Sequence, residues 1–268
     1  MKLLLTSFLV FLFAGQISAQ DYAVDQLDNS PRHHEWVTME SGGRVLHTFV
    51  AYPETSENVP VVIVIHENRG LNEWARSFAD QLAAEGYIAV APDLISNTVE
   101  GIQKTSDFEN SDAARQAIYA LDPEMVTTDL KNVLNYAHSI EAGNGSIAMA
   151  GFCWGGSQSF RFATNAGGRI DAALVFYGTG PERPEDYQRI QVPVYGFYGG
   201  EDQRVNATIE RSEAMMEEAG NTYDYVIYDG AGHAFMRRGD DPDASKRDPN
   251  VKARNNSWER MKSILKNL

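Results

Sequence analysis

The sequence predicts an α/β fold built on a mostly parallel central sheet with helices on both faces. Three observations carry this. Short apolar or β-rich runs alternate with helix-patterned segments along the chain. One run, VPVVIVI at residues 59–65, is apolar without interruption, as a strand covered on both faces requires. Glycine-rich turns follow several of these runs, where open α/β sheets bind their ligands.

The elements follow in order. Residues 44–51 read as an antiparallel edge strand and residues 59–65 as the first core strand. A helix is expected over 73–85 and a strand over 87–91. Helical patterns at 122–140, 153–166, 206–219 and 252–266 alternate with strand-like runs at 145–150, 172–177, 192–198 and 223–228. Strand–helix alternation implies right-handed crossovers between parallel strands. Residues 96–111 read as a flexible insertion near the site, and the polar stretch 237–248 as an exposed loop.

The first 20 residues differ from the rest. Lys2 precedes an apolar stretch through Ala14, and Ser18-Ala19-Gln20 offers small residues near a cleavage point. That order is the one found in a secretory signal peptide, and it is short for a membrane span. The expectation is a signal peptide at 1–20, a secreted or periplasmic location, and a single domain over 21–268 with no stable membrane span after cleavage. The formal charge of -14 argues against nucleic acid as a partner. A monomer or small homo-oligomer is expected. Cys153 is the only cysteine, so no intrachain disulfide can form.

Chemistry concentrates in three turns. Gly151-Phe152-Cys153-Trp154-Gly155-Gly156 lies between a strand and a helix. It has the spacing of a nucleophile elbow, with cysteine where serine is usual. Small residues two positions either side let the tight turn form, and a helix start favours a thiolate. Asp202 follows the next-to-last strand in Tyr198-Gly199-Gly200-Glu201-Asp202, and His233 follows the last strand in Gly230-Ala231-Gly232-His233. Nucleophile, acid and histidine in that order are the order of the α/β-hydrolase fold.

Over residues 45–268 the chain resembles the dienelactone hydrolases (carboxymethylenebutenolidases). The resemblance rests on His66-Glu67-Asn68-Arg69-Gly70-Leu71-Asn72, on Ala91-Pro92-Asp93-Leu94, on the cysteine elbow, and on Gly232-His233-Ala234-Phe235 with Arg237. It implies a Cys153–His233–Asp202 triad, no metal and no organic cofactor, and a small ester or lactone as substrate. It gives Glu67 contact with the nucleophile and control of its protonation, a role suited to a buried carboxylate. Backbone N–H groups of Asn68 and Trp154 are the expected oxyanion hole. Arg237 matches an arginine that binds the substrate carboxylate, with Arg238 as the adjacent alternative, and Tyr177 matches a pocket tyrosine. His66 is expected to be structural. The family pattern has a second arginine soon after Ala-Pro-Asp-Leu, where this chain has Ile95-Ser96-Asn97-Thr98. That departure bears on the substrate, and Arg69 is a candidate to compensate. Two other readings stay open: a general secreted carboxylesterase of the same fold, and a non-catalytic secreted binding protein that kept the pocket.

Overall fold

The computed structural model describes residues 19–268. The expected signal peptide therefore lies almost wholly outside the described residues. Helix α1 (Ala19–Asp28) leads into strands β1 (His33–Ser41), β2 (Arg44–Tyr52) and β3 (Val59–Ile65). Then come α2 (Glu73–Ala84), β4 (Ile88–Pro92), α3 (Ser111–Tyr119), α4 (Pro123–Ser139), β5 (Gly143–Phe152) and α5 (Trp154–Ala163). The rest of the chain is β6 (Ala172–Phe176), α6 (Pro184–Tyr187), β7 (Val194–Gly199), α7 (Gln203–Asn206), α8 (Ile209–Glu218), β8 (Tyr223–Tyr228), α9 (Phe235–Arg238) and α10 (Pro249–Leu265). Among the described residues no helix is long and apolar enough to cross a membrane.

Among the described residues, eight strands form one sheet in the order β1-β2-β4-β3-β5-β6-β7-β8. The β1–β2 and β2–β4 pairs are antiparallel, and every pair from β4 through β8 is parallel. This is the α/β-hydrolase arrangement. Strand β3 shows why its sequence is apolar throughout. Val62 and Val64 pack into a core with Trp74 and Phe78 of α2 and Trp258 and Met261 of α10. Val61, Ile63 and Ile65 pack on the opposite face with Val126, Leu130 and Val133 of α4 and Phe160 of α5. Successive side chains of a strand point to opposite faces, so a strand between two helical layers has no polar side.

Three expectations are corrected. The strand at 44–51 is not an edge, because β1 pairs along its outer side over nine residues, His33 to Ser41. Residues 96–111 are tied down rather than loose. The buried carboxylate of Asp93 accepts from Thr105 N at 2.6 Å and Thr105 Oγ1 at 2.8 Å, and the segment runs into α3. The stretch 237–248 opens as the end of a short helix, α9, and its Asp240 is buried against Trp74 Nε1 at 3.0 Å.

Candidate active site

Cys153 directly follows β5 and caps α5 with φ 56 and ψ -115. A non-glycine residue in that region carries roughly 1–3 kcal/mol of backbone strain, which the surroundings must enforce. Glycines make the enforcement possible. A Cβ on Gly151 would sit 1.9 Å from the Gly155 carbonyl oxygen, and one on Gly155 would sit 2.4 Å from the Ile65 and His66 oxygens. Helix α5 can therefore start hard against β3 and β5. Cys153 N donates to Phe176 O at 3.0 Å, which fixes the turn to β6.

His233 and Asp202 arrive from the loops after β8 and β7. His233 Nε2 lies 3.1 Å from Cys153 Sγ, and His233 Nδ1 lies 2.5 Å from Asp202 Oδ2. The two loops grip each other. Glu201 N donates to Ala231 O at 2.9 Å, Gly200 N to Tyr228 O at 2.8 Å, and a Cβ on Gly199 would meet Ala231 O at 2.6 Å. Burial opposes charge on His233, but its hydrogen bonds to Asp202 and Cys153 outweigh burial and push its pKa up to about 9.

Glu67 follows β3 and is 4% exposed. Its carboxylate accepts from Arg237 Nε at 2.8 Å and from Tyr177 OH at 3.2 Å. Among the described residues it makes no hydrogen bond to Cys153, although both line one pocket. Tyr177 stands at the end of β6 with φ 42. It is buried, with its ring edge-on to His233 at 5.1 Å. Burial and the neighbouring Glu67 carboxylate hold the Tyr177 phenol well above its ordinary range, so it is a donor here. Arg237 turns into the pocket, and Arg238 is exposed to solvent.

His66 has a structural place. Its Nδ1 is 2.7 Å from Glu67 O, its Nε2 accepts from Leu94 N at 3.3 Å, and its ring stacks on Trp154 at 5.5 Å. Burial pushes it toward the neutral form.

The pocket that contains Cys153 and His233 has a volume of about 160 Å3. Its far wall was not anticipated from the sequence. Ser111, Asp112 and Arg115 of α3 line it together with Arg69. Tyr119, also on α3, accepts from Asn68 Nδ2 at 3.0 Å. A signal for α3 exists in the Asn110 cap and the Ala114/Ile118 pair, four residues apart on one helix face. The N–H groups of Asn68 and Trp154 donate to no protein acceptor among the described residues. Among those residues no group of three or more His, Cys, Asp or Glu is placed to hold a metal ion.

The model of the dienelactone hydrolase family matches residues 46–268. The chain is 30% identical over 260 residues to a Saccharolobus solfataricus protein provisionally named carboxymethylenebutenolidase, covering 85% of this chain and 96% of that protein. It is 29% identical over 195 residues to the carboxymethylenebutenolidase of Pseudomonas putida, covering 71% and 82% of the two chains. Among solved structures, a dienelactone hydrolase-like promiscuous phosphotriesterase from metagenomic libraries superposes with a TM-score of 0.73 at 25% identity, covering 88% of this chain and 98% of its own.

Proposed function

The chain belongs to the dienelactone hydrolase family and is a carboxylic ester hydrolase, and we propose that it cleaves a small ester or lactone with Cys153 as nucleophile, His233 as proton-transfer base and Asp202 as the acid that orients His233. One observation carries this reading: a single imidazole meets sulfur at 3.1 Å on one nitrogen and a carboxylate at 2.5 Å on the other. That is the geometry by which a base activates a nucleophile while a third group fixes its tautomer.

The reaction runs in two halves. The Cys153 thiolate attacks the scissile carbonyl, with the thiol proton on His233. The tetrahedral oxyanion takes hydrogen bonds from the N–H groups of Asn68 and Trp154. The C–O bond breaks, His233 gives its proton to the leaving oxygen, and a thioester on Cys153 remains. His233 then takes a proton from water, the hydroxide adds to the thioester, and the acid departs as Cys153 is restored. Glu67 bears on this through competition. An anionic group entering beside Arg237 draws on the same guanidinium that holds the Glu67 carboxylate at 2.8 Å, and a released carboxylate can turn toward the sulfur in the shared pocket.

A general carboxylesterase acting on neutral esters is the second reading. It is favoured by the absence of arginine in Ile95-Ser96-Asn97-Thr98 and by the engagement of Arg237 with Glu67. Hydrolysis of p-nitrophenyl acetate by wild type and by Cys153→Ala tests the common core of both readings. Loss of a covalent nucleophile ordinarily costs several orders of magnitude. A variant that keeps more than about a hundredth of wild-type turnover removes Cys153 from the nucleophile role.

A further inference from the structure

A second cavity adjoins the one that holds Cys153. It has a volume of about 170 Å3, and it shares Arg69 and Ser111 with the catalytic pocket of about 160 Å3. Asn72, Glu73, Thr105, Phe108 and Asn110 complete most of its wall. The two shared residues make the cavities neighbours, with Arg69 in the wall of both.

The wall is rich in unspent donors. Asn72 accepts from Ala75 N at 3.1 Å with its side-chain oxygen, capping α2. Asn110 does the same for α3, accepting from Asp112 N at 3.1 Å and Ala113 N at 3.0 Å. A planar amide whose oxygen faces a helix end directs its NH2 group away from that end. Neither NH2 has a protein acceptor among the described residues, and the Arg69 guanidinium makes no ion pair or hydrogen bond among them. The acidic side chain in the wall, Glu73, is held by Arg76 at 3.2 Å. Thr105 is spent as well, on Asp93 and on Leu71 N at 2.9 Å. What remains for a ligand is a guanidinium flanked by amide donors, a set that matches the acceptor oxygens of a carboxylate. Phe108 and Ala114 add apolar surface beside that set.

We infer that the two cavities form one substrate channel, in which the ester lies at Cys153 and Arg69 holds a carboxylate at the substrate's far end. Arg69 is then a specificity-determining residue distinct from Arg237, whose guanidinium is bonded to Glu67 and does not line the second cavity. The inference rests on the Cys153 hydrolase reading. It also gives a purpose to the tethering of residues 96–111. Asp93 fixes Thr105, and Thr105 closes on Gly70, whose Cβ would stand 2.2 Å from Thr105 Oγ1. The floor of the second cavity is thereby locked to the loop that carries Glu67, Asn68 and Arg69.

The test uses p-nitrophenyl monoesters of straight-chain dicarboxylic acids of increasing length, each beside its methyl-capped neutral counterpart and beside p-nitrophenyl acetate. The readout is the ratio of kcat/KM for the acid to that for the capped ester, taken within each protein, so partial misfolding of a variant cancels. Wild type should prefer the acid at one chain length and not at shorter ones. Arg69→Met should lower that ratio about 10- to 100-fold, the effect of losing a charge-assisted hydrogen bond. Ser106→Trp, at an exposed residue that lines the second cavity, should narrow that cavity and erase the dependence on chain length. Arg237→Met should leave the chain-length preference in place. The inference is overturned if Arg69→Met leaves the ratio unchanged, if the preference disappears in Arg237→Met and survives in Arg69→Met, or if wild type shows no preference at any length. Cys153-dependent hydrolysis of p-nitrophenyl acetate in that last case would leave the hydrolase reading standing while the channel falls. Absence of acetate hydrolysis would strike the hydrolase reading itself.

Discussion

Asp202→Asn isolates the electrostatic part of the proposed mechanism. The substitution keeps the side chain's shape and removes the charge 2.5 Å from His233 Nδ1. The rise of His233 from the ordinary 6.5 to about 9 is a net result, because burial opposes it. It corresponds to about 3 kcal/mol in favour of the imidazolium. Asp202 supplies the larger of the two hydrogen-bonding contributions that raise it, ahead of Cys153. Neutralising Asp202 should therefore lower the His233 pKa from about 9 toward its ordinary value. The imidazolium delivers the proton to the leaving oxygen, so activity should fall as pH rises through its titration. For an alkyl ester, whose leaving alkoxide needs that proton, kcat/KM of wild type should hold to about pH 9. In Asp202→Asn the alkaline fall should begin at lower pH, because the less stabilised imidazolium loses its proton earlier. The plateau should also drop at least 10- to 100-fold, the loss expected for one charge-assisted hydrogen bond. The rate of Cys153 alkylation by iodoacetamide across the same pH range gives a second readout that needs no substrate. An alkaline limb unmoved by the substitution would show that His233 is not poised by Asp202.

Arg237→Met leaves the Glu67 carboxylate, 5% exposed in its side chain, without its cation. It should cost about 3–5 kcal/mol in urea unfolding, with most of that recovered in Glu67→Gln/Arg237→Met; a loss below about 1 kcal/mol would mean the pair is not structurally coupled. Gly151→Ala puts a methyl group 1.9 Å from the Gly155 oxygen. It should abolish activity by displacing the elbow, and a variant with wild-type kcat would refute the close packing described for that turn.

The core of the sheet is legible in the sequence because burial on both faces leaves a local mark. Strands β3 and β4 are apolar along nearly their whole length, and no context is needed to read them. Strand β1 carries the opposite pattern. HHEWVTMES alternates half-buried and exposed positions, as an edge strand does, and its polar residues hide it. Helix α3 is hidden by its size. Nine residues with two buried side chains, Ala114 and Ile118, give little periodicity, and its packing partners Ile95 and Trp154 are distant in sequence. The pocket residues Ser111 and Arg115 are hidden with it. Cys153, Asp202 and His233 could be located because each sits in a turn that needs glycine, and glycine spacing is visible. The pairing of Glu67 with Arg237 spans 170 positions and has no local signature. The family resemblance implies contact between the Glu67 carboxylate and the sulfur, whereas its hydrogen bonds go to Arg237 and Tyr177.

The assembly of the site follows from strand order. Glu67, Cys153, Tyr177, Asp202 and His233 stand at or just beyond the carboxyl ends of β3, β5, β6, β7 and β8, which are consecutive neighbours in the sheet. Adjacent strands are about 4.8 Å apart, so β5 and β8 are separated by roughly 14 Å across β6 and β7. The imidazole nevertheless reaches sulfur at 3.1 Å. The loop after β8 must fold back over two strands to do so. Ala234 takes a left-handed conformation at φ 60 directly after His233, which turns the chain back at that point. Gly199 lets the β7 and β8 loops close to a distance that no side chain would permit. Tyr177 fills the space beneath the fold-back, with Phe235 5.2 Å from its ring and its hydroxyl bonded to Glu67. Each of these residues is read poorly in isolation, since an alanine, a glycine and a strand-end tyrosine are common in any core. Their roles appear only when the distance that His233 must travel is set beside the strand order that imposes it.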